Sequence, residues 1–296
     1  MLEFKITDET DRIDNFLAKN TDISRSKINK MIKEGKILVN DNQVKASYNL
    51  KENDYITMEE YQEVEMDIEP VKMDLDIVYE DEDVIVVNKA NGVVVHPAPG
   101  NYTNTLVNGL LYHSKNLSDI NGEFRPGIVH RIDAYTTGLL MIAKNNKAHE
   151  ILAKELEEKK TTRKYIALVW GVVNTDTGTI KAPFGRDAAD RKKMAVVDGG
   201  KDATTHFKVL ERYSNATLIE LELETGRTHQ IRVHMNYIGY PVVNDPVYGK
   251  RHLIDNTGQC LHAKTLGFIH PSTKKYMEFN SDLPECFINI LNQFKD

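Results

Sequence analysis

Apolar residues recur along the first sixty positions at helical spacing. Ile13, Phe16 and Leu17 mark one short helix, and Ile28, Met31 and Ile32 the inner side of a second, with Ser24 as its cap and Gly35 as its stop. The period then shortens: "KILVNDNQVK" is two strand-like runs about an Asn-Asp-Asn turn, and "DYITM" supplies another strand. Residues 1–60 therefore read as a separate helix-helix-sheet module. The acidic, proline-terminated stretch "EEYQEVEMDIEP" follows, and a linker over residues 61–74, with little tendency to join a core, is expected there.

Beyond it the text becomes β-rich, and a second domain is expected over residues 75–296. "DVIVVNKANGVVVHP" reads as strand, Asn-Gly turn and strand, and "GLLMIAKN" as a buried strand. "KYIALVWG", "THFKVLERY", "ATLIELEL" and "KYMEFNS" are further strands. Helices interrupt them. "NKAHEILAKELEEKK" places Ala148, Ile151, Leu152 and Leu156 at helical spacing. "THQIRVHMNYIG" does the same with Ile231, Met235 and Ile238, opened by Thr228 and closed by Gly239. Adjacent strands with scattered helices predict an α+β fold with a largely antiparallel mixed sheet and flanking helices, preceded by the small module.

Composition excludes several classes. With 41% hydrophobic and 28% charged residues in 296, the chain is an ordinary globular one. It has no apolar run near the ~20 residues that span a bilayer, and the charged start "MLEFKITDETDRIDNFLAKN" is no signal peptide. A cytoplasmic protein, monomeric by default and without a membrane partner, is expected. Cys260 and Cys286 lack CxxC spacing and read as two small buried hydrophobes.

A net charge of −6 argues against indiscriminate nucleic-acid binding, but the charges are uneven. On the second helix Arg25, Lys27, Lys30 and Lys33, with Lys36 just past it, are opposed only by Glu34. Such a stripe either neutralises phosphates or is a solvated helix face. "FGRDAADRKKMAVVDGGKDATTHF" carries Arg186, Arg191, Lys192, Lys193 and Lys201 on a glycine-containing connection. It suits a mobile loop closing on phosphates, with a solvated hairpin as the alternative.

The candidate chemistry lies in three stretches. In "GIVHRIDAYTTGLLMIAK", Asp133 follows Arg131 at the mouth of a buried strand. A carboxylate beside guanidinium groups stays ionised and can act as nucleophile or base, or simply form a structural pair. In "ETGRTHQIRVHM", a helix starting at Thr228 puts His229 and Arg232 on one face, so Arg232 can reach a carboxylate on a neighbouring strand. His229 and His234 are five apart, on different sides of that helix, with no carboxylate between them; no metal is expected. Tyr165, heading "YIALVW", is a core ring or a platform for a base. No GxGxxG, GxxxxGK[ST] or GxSxG occurs, which removes the usual support for dinucleotide, P-loop and hydrolase chemistry.

Taken together, "RPGIVHRIDAYTTGLLMIAK", "RKYIALVWG" and "ETGRTHQIRVHM", with "VIVVNKANGVVVHP" upstream and "DPVYG" and "LHAKTL" downstream, closely resemble the RluA family of pseudouridine synthases. The resemblance runs from about Leu75 to the C-terminus, and residues 11 to 57 resemble the RNA-binding module of ribosomal protein S4. It departs from the common pattern at Ala90, Ala134 and Tyr135. The resemblance implies isomerisation of specific uridines in RNA, with large-subunit ribosomal RNA the expected partner and no cofactor or metal. It implies Asp133 as the catalytic aspartate, Arg232 as its basic partner and Tyr165 as the ring against the base. Arg131 would hold the opened RNA, and His130, Arg227, His229, Arg25, Lys27, Lys30 and Lys33 would contact it.

Overall fold

The computed structural model describes residues 2–7, 11–21, 23, 25–59, 68–98, 100–120, 122, 125–191, 193–249 and 253–295. The chain divides into two compact units, residues 1–66 and 67–296.

The small unit runs β1 (Leu2–Lys5), α1 (Ile13–Asn20), α2 (Arg25–Lys33), β2 (Ile37–Val39), β3 (Asn42–Gln43) and β4 (Tyr55–Met58). Its sheet has the antiparallel order β1-β4-β2-β3. The periodic apolar residues of both helices meet Ile37, Val39, Ile56 and Met58 in one core. Asn40 and Asp41, at φ 50° and 61°, make the β2–β3 turn; two consecutive left-handed residues match the strand twist, and Asn and Asp tolerate them. The strand β1 was not anticipated, because "LEFK" is mostly exposed and shows no clean alternation. Gly35, at φ 73°, follows α2 as expected; the expected cap Ser24 lies outside the described residues.

In the large unit come β5 (Asp76–Glu80), β6 (Val84–Lys89), α3 (Leu106–His113), β7 (Thr137–Ala143), α4 (Asn146–Glu157) and β8 (Thr162–Trp170). Then follow β9 (Thr177–Lys181), β10 (Phe184–Arg186), β11 (Met194–Val196), β12 (Thr204–Arg212), β13 (Ala216–Leu223) and α5 (Gln230–Tyr237). The chain closes with β14 (Leu261–Ile269), β15 (Tyr276–Asn280) and α6 (Glu285–Leu291). The main sheet has the order β5-β6-β7-β14-β8-β13-β12-β9, with β15 on β14. Only β7 and β14 pair in parallel, so the fold is mixed α+β with a mostly antiparallel sheet. No helix among the described residues is long and apolar enough to cross a membrane.

Both faces of the sheet are covered. Ile85, Val87, Leu140, Ile142 and Tyr165 share a core with residues of α3 and α5. On the other face Val84, Val86, Leu139 and Met141 pack on Ala148 and Leu152 of α4. All seven residues of β7 are buried, which explains its unbroken apolar run. Gly138, at φ 105°, lies where β7 meets β14; a Cβ there would sit 2.3 Å from the Ala263 carbonyl oxygen, so only glycine permits the crossing.

Four expectations are corrected. "GVVVHP" is not a strand: the Val94 and Val95 carbonyls accept the Leu106 and Val107 amides, so this backbone is spent on starting α3. The stretch 68–74, read as linker, packs on the large unit. There Asn108 donates to the Glu69 carbonyl, the Val71 amide donates to the Asn108 carbonyl, and Ile68 joins the core. The basic connection is a paired hairpin, Phe184 opposite Val196 and Arg186 opposite Met194, rather than a mobile loop; Lys192 lies outside the described residues. Cys260 is buried, but Cys286 is only half-buried.

Candidate active site and its relatives

Asp133 stands on the short turn that leads into β7. The turn is closed by the Thr136 amide donating to the Asp133 carbonyl, 3.0 Å, and Gln259 donates to the Thr136 hydroxyl, 3.0 Å. Below it, Lys89 is 2% exposed and points its ammonium at three backbone carbonyls, those of Ala90 (2.8 Å), Val93 (2.8 Å) and Ala134 (2.7 Å). An ammonium has three protons, so each carbonyl receives one. Burial pulls the Lys89 pKa down to about 7, and the Asp133 charge opposes the shift. The clamp ties the turn behind Asp133 to the end of β6.

Arg232, on α5, holds the carboxylate. Its Nη1 donates to Asp133 Oδ2 at 2.9 Å, while Nε and Nη2 donate to the two oxygens of Asp245 at 2.7 and 2.9 Å. Asp245 is fully buried and also receives the Val247 and Tyr248 amides. Burial alone would raise its pKa, but the guanidinium prevails and holds it below the ordinary carboxylate range. For Arg232, too, burial opposes the charge and the two carboxylates overcome it, so it stays a cation. The guanidinium carbon lies 5.1 Å from the centre of the Tyr248 ring, which limits its tilt.

His229 adds a second contact. It does not lie within α5, as a helix start at Thr228 would require; it caps the helix at φ 61°, and the helix begins at Gln230. That left-handed turn still brings its Nε2 within 3.7 Å of Asp133 Oδ1. Tyr248 receives the Met194 amide of the hairpin at 3.0 Å and lies 3.0 Å from His229 Nδ1. The phenol proton is therefore free for Nδ1, which leaves Nε2–H facing the carboxylate. Burial lowers the His229 pKa, so this is a neutral contact rather than an ion pair. His234, on another side of α5, is fully buried against the Thr205 hydroxyl at 2.9 Å.

Asp133, His229 and Arg232 line a cleft of about 760 Å³ that also contains Tyr165, His130, Arg131, Arg163 and Arg227. Tyr165 is 6% exposed, and burial raises the pKa of its hydroxyl. His130 is spent locally: its Nε2 accepts the Met141 amide at 3.1 Å, and burial, then the Arg163 charge, takes its pKa to about 3. Arg131 is exposed and donates to His96 Nε2 at 3.2 Å; burial, then Arg131, takes the His96 pKa to about 4. Arg227 reaches the Asp202 carbonyl at 3.3 Å.

In the small unit Arg25 is tied to Asp14, a 1% exposed carboxylate that also holds Arg12. Lys30 is 75% exposed and lies 3.8 Å from Glu34; Lys33 is exposed as well. The Lys27 side chain lies outside the described residues.

Sequence reading missed Asp245, Lys89, Tyr248 and Arg163. Two signals were present. Asp245 and Tyr248 sit in "DPVYG", and Arg163 is two residues from Tyr165 on the same strand, hence on the same face.

A sheet of this order, with an aspartate held by a buried arginine, has counterparts among known proteins. The chain matches the family model for RNA pseudouridylate synthase over residues 83–237 and that for the S4 domain over residues 11–56. It belongs to the RNA pseudouridylate synthase family, with an N-terminal S4 domain. It is 53% identical to an uncharacterized RNA pseudouridine synthase of Bacillus subtilis, YlyB, over 97% of this chain and 95% of that one. It is 43% identical to the ribosomal large subunit pseudouridine synthase D of Pseudomonas aeruginosa, over 91% and 87%. A solved structure, human RNA pseudouridylate synthase domain containing 1, superposes with a TM-score of 0.59 at 25% identity, covering 75% of this chain and 95% of that one.

Proposed function

We propose that this RNA pseudouridine synthase acts on specific uridines of large-subunit ribosomal RNA and that Asp133 performs the chemistry without a cofactor. The observation that carries this reading is the Asp133 carboxylate, held 2.9 Å from Arg232 in the cleft that Tyr165 lines. The ribosomal name of the Pseudomonas relative and the S4 domain support the substrate class.

Uridine and pseudouridine are isomers, so the step needs no oxidant or co-reactant. The bond from ribose to the uracil nitrogen breaks, the uracil turns, and a ribose–carbon bond forms. The rejoined carbon gives up its proton and the freed nitrogen gains one. A carboxylate kept ionised and aimed can attack the ribose, attack the uracil ring or remove a ribose proton. Arg232 aims Asp133, and Asp245 keeps Arg232 in place.

A stacked uridine must first be flipped out, at a cost of a few kcal/mol. Tyr165 offers the base a new aromatic face. Arg131 leaves His96 to fill the vacated stack, and Arg227 and His229 meet the opened strand. Lys30 and Lys33 on α2 contact phosphates of the same RNA.

The test is incubation of purified protein with an unmodified large-subunit ribosomal RNA transcript, followed by pseudouridine mapping. Conversion at one or a few positions is expected. If every uridine survives, the substrate assignment fails.

A further inference from the structure

Arg163 is the one buried cation of the cleft that the reading above does not use. It lies on β8, 7% exposed, and among the described residues no carboxylate pairs with it and no acceptor meets its nitrogens; Nε is buried without a partner. The contrast with Arg232 is instructive, since that guanidinium has two carboxylates. A buried charge without a partner is costly and is retained where something supplies the missing partner.

The surroundings make room for the group. A Cβ on Gly226 would come within 2.6 Å of Arg163 Nη1, so the missing side chain of "ETGRTH" leaves the seat for the guanidinium. The nearby Glu224 cannot neutralise it, because Lys159 and His206 each hold an oxygen of that carboxylate at 2.7 Å. Arg163 and Tyr165 are two residues apart on one strand, about 7 Å along it, and face the same cleft.

We infer that Arg163 is the seat for a phosphodiester flanking the target nucleotide, the anion whose arrival completes the ion pair that the protein leaves open. This rests on the cleft being the uridine site, as proposed above. A base lying on Tyr165 brings its own backbone within reach of a side chain as long as arginine. Uracil carbonyls are neutral and would leave the buried charge uncompensated, whereas a phosphodiester carries the opposite charge and matches the planar fork with two oxygens. Arg163 is thus a substrate-binding residue, separate from the Asp133–Arg232–Asp245 set that performs the reaction.

The experiment compares binding of uridine and of uridine 3′,5′-bisphosphate by calorimetry to the full-length wild type, Arg163→Gln, Arg163→Lys, Gly226→Ala and Asp133→Asn, with melting curves to show that each is folded. Wild type is expected to favour the bisphosphate by about tenfold or more. Arg163→Gln should lose most of that preference with its affinity for uridine unchanged, and Arg163→Lys should keep part of it. Gly226→Ala, which crowds the guanidinium without removing its charge, should weaken it too and serves if Arg163→Gln does not fold. A wild type without preference, or a preference that survives Arg163→Gln and Gly226→Ala, overturns the inference. Asp133→Asn should keep the preference. If it also still forms pseudouridine, the catalytic reading fails while the phosphate seat stands.

Discussion

The small and the large unit carry their charges in opposite ways. On α2, Lys30 and Lys33 extend into solvent, and Lys30 has only a distant glutamate. At the cleft and behind it, Arg232, Asp245 and Lys89 are buried, and each is held by named hydrogen-bond partners. Exposed cations bind additively, respond to salt and tolerate replacement. A buried network fixes one carboxylate in one orientation, and removal of any member leaves another charge stranded. On the function proposed above, the first arrangement grips a polyanion, and the second does chemistry on one nucleotide of it.

The largest effect should come from Asp133→Asn. Turnover is expected to fall by at least about 1,000-fold, equivalent to some 4 kcal/mol, while RNA affinity stays within a few-fold, because the amide keeps the shape and loses the charge. Single-turnover rates and filter binding separate the two; equal losses in both would erase the distinction between the units.

Asp245→Asn comes next. It removes the charge that opposes a buried guanidinium, and breaking a buried pair costs about 3–5 kcal/mol. Urea unfolding followed by Trp170 fluorescence should show that loss in the large unit, with turnover reduced because Arg232 no longer holds Asp133. An unchanged midpoint would mean the pair is not structural.

Acid should separate the units by stability. All ten histidines lie beyond residue 66, and burial takes His96 and His262 to about 4 and His130 to about 3. Their ordinary value is near 6.5, so between pH 6.5 and 4 the unfolded chain binds protons that the folded chain refuses. Stability is therefore full above pH 6.5 and falls as pH drops through that window. Trp170 fluorescence melts should show a falling midpoint, with a shallower slope in His262→Asn. A midpoint flat from pH 6.5 to 4 would contradict the shifts.

The smallest effects belong to α2. Lys30→Ala and Lys33→Ala should each flatten the salt dependence of RNA binding by about 0.7–0.9 in log–log slope and leave single-turnover chemistry untouched. A change in the chemical rate would tie this helix to the cleft.

Local periodicity made most of the elements readable, since α2, α4, β7, β8 and β13 announce themselves within ten residues or so. What it could not convey was where backbone groups are spent. "GVVVHP" has the composition of a strand, yet its carbonyls serve α3, a partner twelve residues on. Likewise "EVEMDIEP" looks like a linker until Asn108 supplies hydrogen bonds to its end. The Asp133–Arg232 contact spans 99 residues and was legible only because three motifs in order resemble a family. For Asp245, Lys89 and Arg163 the local pattern offers at most a motif or a strand face. Their meaning is that they are charged and buried, a property of the folded chain alone.

The most direct measurement is pseudouridine mapping of total RNA from cells lacking the gene, complemented with wild type or with Asp133→Asn. Loss of pseudouridine at defined large-subunit ribosomal RNA positions, restored by wild type and not by Asp133→Asn, is the expected result. Restoration by Asp133→Asn would contradict the role given to that carboxylate.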